Sequence, residues 1–262
     1  MSQNDRKIYY TLRFAAAMCF IGHGAFGIIT KEIWCNYFGV FGIGHRMAYT
    51  IMPWVGIVDI LMGVSLMVYP TRAIMAWLVI WGIVTAFLRP LSGEPFAEFM
   101  ERAGNFGAPL ALLILCSNGR PLITGPFSLA SPGQDVKPET LAQLTKYLRV
   151  IVFLLLVGHG WLNLIDKKGL LEQYSSLGFS NPVQVARVAG LFEIAAACMV
   201  LIRPLRPLIF ILLLWKIGTE LMYPQWELFE FIERGGSYGA LLALWLALPG
   251  VPLRVRNTLV AS

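Results

Sequence analysis

Charge is what this sequence has least of. Only 14% of its 262 residues are Asp, Glu, Lys or Arg, while 57% are hydrophobic and the mean hydropathy is +0.65. A soluble domain carries about a quarter charged residues, so an ordinary soluble domain is excluded. Metal and thiol chemistry are thin as well. The three histidines and four cysteines form no HxxxH and no CxxC, which argues against a helical metal site and against a built-in dithiol pair. Cys19, Cys35, Cys116 and Cys198 read as packing residues. P-loop, dinucleotide, GxSxG and kinase signatures are absent too, and no convincing small-residue cleavage site follows the first apolar stretch, so that stretch reads as an uncleaved helix.

What is present is apolar sequence in eight stretches, near 12–30, 51–69, 73–88, 97–116, 147–165, 183–202, 205–219 and 233–249. Several fall short of the roughly 20 residues a spanning helix needs. Their polar, aromatic or glycine-rich ends allow each another turn. The expected class is an all-α membrane protein with eight transmembrane helices.

The stretches are copies. "FMERAGNFGAPLAL" (99–112) returns as "FIERGGSYGALLAL" (231–244), identical at nine of fourteen positions at an offset of 132. "LRFAAAMCFIGHGAF" from Leu12 matches "LRVIVFLLLVGHGWL" from Leu148, and "VGIVDILMGVSLMVYPTR" from Val55 matches "AGLFEIAAACMVLIRPLR" from Ala189. Self-similarity at a fixed spacing marks a repeat architecture. Residues 1–116 read as a first four-helix repeat, 117–146 as a Pro/Gly/Ser-rich cytoplasmic linker, flexible by composition, and 147–262 as a second repeat. An even number of spans per copy makes the two repeats parallel, related by an axis along the membrane normal.

Basic residues orient the chain. On the side holding both termini stand Arg6, Lys7, Arg13, Arg72, Arg120, Lys137, Lys146, Arg149, Arg203, Arg206, Arg254 and Arg256, against only Asp5, Asp135 and Glu139. That side is cytoplasmic by the positive-inside tendency, with the chain in the inner (cell) membrane. The net charge of +6 therefore reflects topology, and no nucleic-acid patch is visible.

Polar residues kept inside spans are costly and are the first candidates for function. Each copy offers a set: His23 or His159 in "GHG", Asp59 or Glu193 in the second span, and Glu98, Glu101 and Arg102, or Glu230, Glu233 and Arg234, at the start of the fourth. Glu98, Glu101, Arg102 and Asn105 sit at i, i+3, i+4 and i+7, one face of a continuous helix. Two explanations fit these residues: helix-end stabilisation with inter-helix ion pairs, or a ligand site. The two halves also differ. Arg89 falls almost opposite Glu220, and Lys216 and Glu220 are spaced for a local ion pair, so one half can be active and the other structural.

Each copy resembles a DoxX-type membrane unit: four helices, "GHG" closing the first, and a Gx(D/E) pattern in the second, here "VGIVDILMG" and "AGLFEIAAA". The likeness covers nearly the whole chain apart from the linker, so the protein is similar to a tandem DoxX-like protein, related to the DoxD/DoxA proteins. The usual member has a single unit. The resemblance implies association with thiosulfate oxidation coupled to membrane quinone. Other relatives accompany sulfur-handling or oxidative-stress partners, and a distant one is a cargo receptor.

The leading expectation is a membrane subunit of a quinone-linked oxidoreductase system. Glu101 and Glu233 are the catalytic candidates, handling protons. His23 and His159 would hydrogen-bond a quinone, with Asp59 and Glu193 behind them and Arg102 and Arg234 holding an anionic group. No metal is expected, and bis-histidine haem ligation is the weaker cofactor alternative to quinone. The alternatives in function are a non-catalytic scaffold or receptor for a soluble partner protein, expected to have closed ion pairs and no cavity, and a small-solute transporter.

Overall fold

The computed structural model describes residues 2–131, 136–222 and 228–249, which form helices and no strand; Thr71 and Leu129 make an isolated bridge. Asp135, Arg254 and Arg256 of the charge count lie outside the described residues. The helices are α1 (Gln3–Ile28), α2 (Trp34–Gly39), α3 (His45–Val68), α4 (Arg72–Leu91), α5 (Ala97–Glu101) and α6 (Ala103–Ser117), then α7 (Pro138–Leu164), α8 (Lys168–Ser176), α9 (Pro182–Ile202), α10 (Arg206–Leu221), α11 (Leu228–Glu233) and α12 (Gly235–Ala247). Five of them, α1, α3, α4, α7 and α9, are long and apolar enough to cross a membrane. The apolar helices α10, α6 and α12 are shorter, at 16, 15 and 13 residues.

Helices begin where the sequence supplies caps. Ser2 and Asp5 exchange hydrogen bonds in a capping box at α1, Thr71 Oγ1 accepts from Ile74 N at α4, and Asn181 Oδ1 accepts from Gln184 N at α9. Pro138 and Pro182 occupy first-turn positions of α7 and α9, where a missing N–H costs nothing. At the opposite ends two arginines act as caps. Arg13 donates through Nε to Leu66 O (2.9 Å) and through Nη2 to Met67 O, and Arg149 does the same for Val200 O, Leu201 O and Ile202 O. These carbonyls end α3 and α9, where helix geometry leaves them without amide partners and the dipole is negative.

The packing crosses between the two halves of the chain. α1 lies against α3 of its own half, and also against α11 and α12; α7 lies against α9, and also against α5 and α6. One continuous core results, with Leu12 and Leu112 of the first half and Leu148, Leu155 and Leu244 of the second all fully buried in it. Large apolar side chains such as Val68, Ile80, Val188 and Ile202 cover the outside, a surface suited to lipid.

The two glycines of each "GHG" explain themselves in this arrangement. A methyl on Gly22 would collide with the backbone of Glu233, and one on Gly158 with the backbone of Glu101. On the other side of the histidine, Gly24 abuts Gly56 of α3 and Gly160 abuts Gly190 of α9. One glycine admits the other half, and its partner admits the neighbouring helix.

Two expectations need correction. The fourth span is not one helix. It breaks at Arg102 (φ −89°, ψ 15°) between α5 and α6, and again at Arg234 between α11 and α12. Here α6 and α12 meet at Gly104 and Gly236 while Gly158 and Gly22 press on the preceding turns. Asn105 N turns back to Arg102 O (2.9 Å), and Ser237 N does the same to Arg234 O. The linker, expected to be flexible, is pinned over its first part. Arg72 donates to Pro121 O and Gly125 O, Ala73 N to Pro126 O, and Tyr9 Oη to Ala130 O. Its Gly and Pro turns present carbonyls that a neighbouring cation can use.

Candidate functional site

Call the end of the bundle bearing the 29–44, 92–96 and 165–181 connections the loop end. The polar residues singled out as site candidates gather towards it. After α1 and α7 the chain turns through left-handed residues, Thr30 (φ 55°) and Asp166 (φ 56°), which set Lys31 and Lys167 in equivalent places. Each lysine reaches into the other half. Lys31 Nζ is 3.3 Å from Glu230 Oε1, and Lys167 Nζ is 2.5 Å from Glu98 Oε1.

A chain of ion pairs joins the halves. Arg89 Nη1 lies 3.0 Å from Glu94 Oε2 and 3.3 Å from Glu98 Oε2, and Arg102 Nη1 lies 3.5 Å from Glu98 Oε2 and 3.3 Å from Glu101 Oε2. Glu101 Oε1 then receives Arg234 Nη1 at 2.5 Å and Lys216 Nζ at 3.8 Å, and Glu220 Oε1 receives Lys216 at 2.7 Å and Arg234 at 3.6 Å. Lys216 is only 1% exposed. Such a charge survives burial only when paired on this scale.

The histidines are held by carboxylates. His23 Nδ1 is 2.7 Å from Asp59 Oδ2, and His159 Nδ1 is 2.8 and 2.7 Å from the two oxygens of Glu193. Occupying Nδ1 in this way leaves Nε2 as the working nitrogen of the ring. Around these two dyads the halves diverge. Trp215 Nε1 donates to Glu193 Oε1 (2.8 Å), so Glu193 is saturated. In the first half Trp81 stands at the matching place, yet its buried Nε1 and the buried Asp59 Oδ1 both lack a hydrogen-bond partner.

The free space is equally unequal. A cavity of about 410 Å³ adjoins His23; the matching space beside His159 is about 20 Å³. The large cavity has walls of Phe26, Trp34, Tyr37, Phe38 and Trp81, with the Trp34 ring 4.6 Å from that of His23. Arg89, Arg102, Glu233 and Arg234 line it too. In the second half Tyr174 Oη donates to Asn163 Oδ1 (2.7 Å) and Gln173 Nε2 to Thr219 O (2.6 Å), filling the equivalent space. Burial, reinforced by the Glu193 carboxylate, pushes the Tyr174 phenol up to about 12. Tyr37, on α2, is pushed up by burial as well, and its hydroxyl donates to Glu94 Oε1 at 2.6 Å.

Sequence-predicted residues therefore separate into three groups. His23, Arg102, Glu233 and Arg234 reach the large cavity, and Asp59 backs His23. Glu101 and His159 border only the small one, and Glu193 is sealed behind His159. Lys31, Lys167, Trp81, Trp215, Tyr37, Asn163 and Tyr174 were not singled out. The signal for four of them was present: the offset that pairs the histidines carries Lys31 onto Lys167, and the offset of the second span carries Trp81 onto Trp215. No cluster of three or more metal-ligating side chains occurs among the described residues. No protein-family model, curated protein or solved structure matches the chain.

Proposed function

We propose that the chain is an inner-membrane protein of eight spans in two parallel four-helix repeats, both termini cytoplasmic, and that it serves as a membrane subunit of a quinone-linked oxidoreductase system of DoxX-like type. The observation that carries this is the aromatic-walled cavity of about 410 Å³ with the Asp59-backed His23 at its side. Its size lies within the roughly 300–1,000 Å³ range of small-molecule sites. Apolar walls with a few polar groups suit a substituted ring, and His23 Nε2 is available to bond a ring oxygen.

Of the two candidates Glu101 and Glu233, it is Glu233 that lines this cavity, and it takes the proton-handling role. Glu101, committed to Arg102, Lys216 and Arg234, holds the halves together. Arg102 and Arg234 are likewise engaged by carboxylates, which disfavours a strongly anionic ligand. A pure scaffold has no use for the cavity. The leucine core below the site gives a transporter no path across in this state.

The test is a reduced-minus-oxidised spectrum of the protein purified in mild detergent, with extraction of co-purified isoprenoid quinone. One quinone per chain without a haem band is expected. A haem band, or no quinone together with no binding of added quinone, would overturn the assignment.

A further inference from the structure

Quinones visit membranes in two forms, and the cavity wall discriminates between them. Glu101, the repeat counterpart of Glu233, has cations at 2.5, 3.3 and 3.8 Å. Glu233 is 7% exposed, lines the cavity, and has no side-chain hydrogen bond or ion pair among the described residues. The cations that share its cavity make their ion pairs elsewhere: Arg89 with Glu94 and Glu98, Arg102 with Glu98 and Glu101, Arg234 with Glu101 and Glu220, Lys167 with Glu98, and Lys31 with Glu230. A buried carboxylate with no direct hydrogen bond is costly even where Arg102, His23, Arg89 and Arg234 act on it from farther off. As an ion it accepts hydrogen bonds and donates none. His23, with Nδ1–H committed to Asp59, presents a second acceptor at Nε2 when the ring is neutral. Trp81, whose Nε1–H has no partner, lines the same cavity, so a hydroxyl can both accept from the wall and donate to it, whereas a carbonyl can only accept.

We infer that the cavity selects the hydroxyl-bearing, reduced form of its ligand: a quinol or related phenol, whose O–H donates to Glu233 while its ring lies among Trp34, Tyr37 and Trp81. The inference rests on the quinone-site function proposed above and adds a direction of preference to it. A quinone carbonyl is itself an acceptor, and against Glu233 it sets lone pairs opposite a negative charge. A hydroxyl there makes a charge-assisted bond, about twice as strong as a neutral one.

The test uses the full-length protein in detergent, kept anaerobic. Binding of a short-chain quinol, its quinone and its dimethyl ether is followed by tryptophan fluorescence and calorimetry. The quinol should bind about tenfold tighter than either of the others, the value of one hydrogen bond to a charged group. Glu233→Gln, which places an N–H donor at the same point, should shrink that ratio by weakening quinol and strengthening quinone. Equal binding of the three by the wild-type protein, or tighter binding of quinone, overturns the donor preference and leaves the cavity's function standing. Binding of none of them sinks both. The wild-type comparison decides the matter even where the variant fails to fold.

Discussion

Asp59 and Glu193 differ by one methylene, and that methylene separates a closed hydrogen-bond set from an open one. Glu193 reaches both His159 and Trp215; Asp59 reaches His23 alone and leaves Oδ1 and Trp81 Nε1 without partners. Asp59→Glu should therefore let the carboxylate reach Trp81, adding about 1 kcal/mol and a few degrees to the unfolding temperature, read by thermal unfolding in detergent with the Trp81 emission as reporter. The two glutamates of the repeated motif should part company in the same assay. Glu101→Gln strips partners from Arg234 and Lys216 and should cost about 3–5 kcal/mol, seen as loss of folded protein. Glu233→Gln removes no ion pair and should stay within about 1 kcal/mol of wild type, the size of an ordinary hydrogen-bond change. The sequence makes these residues visible as a repeated set, yet treats Glu101 and Glu233 as equals. Their difference comes from which side chains of the other half arrive at each, and that is a matter of packing that local spacing does not encode.

At the level of the element, the broken fourth helices are the feature that spacing misjudged. The i, i+3, i+4, i+7 pattern at Glu98, Glu101, Arg102 and Asn105 holds equally for one helix and for two short ones meeting at Arg102. Only the approach of Gly158 and Gly236 decides between them. The glycine pattern was legible as close packing, although not its division between the two neighbours. Gly158→Leu should push α7 off the Glu101 turn and abolish stable assembly, whereas Gly39→Leu, where nothing lies within reach of an added side-chain carbon, should be tolerated; monodispersity on gel filtration distinguishes the two. The filled second site makes a pH prediction. The Tyr174 phenol rises from 10.0 to about 12 on folding, so above pH 10 the unfolded chain sheds its proton first and stability falls as pH rises through that window. Tyr174→Phe should flatten that fall in alkaline unfolding curves, at the cost of the bond to Asn163.

For the molecule as a whole, composition alone announced the membrane, and five helices meet the length and apolarity that crossing requires. The shorter α6, α10 and α12 fall below that length because charged residues and breaks cut their apolar runs. Eight spans make a definite prediction for labelling with a membrane-impermeant maleimide, in a variant whose native cysteines are replaced by alanine. Single cysteines at Arg46 and Ser180 should react in intact cells. Those at Ile123 and Glu139 should react only after permeabilisation, and labelling of all four from one side would refute the topology. The basic residues used to orient the chain have a second duty that sequence did not reveal, since Arg13 and Arg149 close the ends of α3 and α9.

The crossed packing also carries a lesson about time. A ribosome delivers α1 long before α11 and α12, yet those late helices cover the Gly22 face, and Arg234 and Lys216 are what neutralise Glu101. While the second half is still being made, the first sits in the bilayer with an open groove along α1 and a carboxylate short of two of its cations. It is a half-built lock, exposed to membrane quality control until its own sequel arrives. Carrying α11 and α12 on the same chain as α1 guarantees that the sequel is always made next and in equal amount.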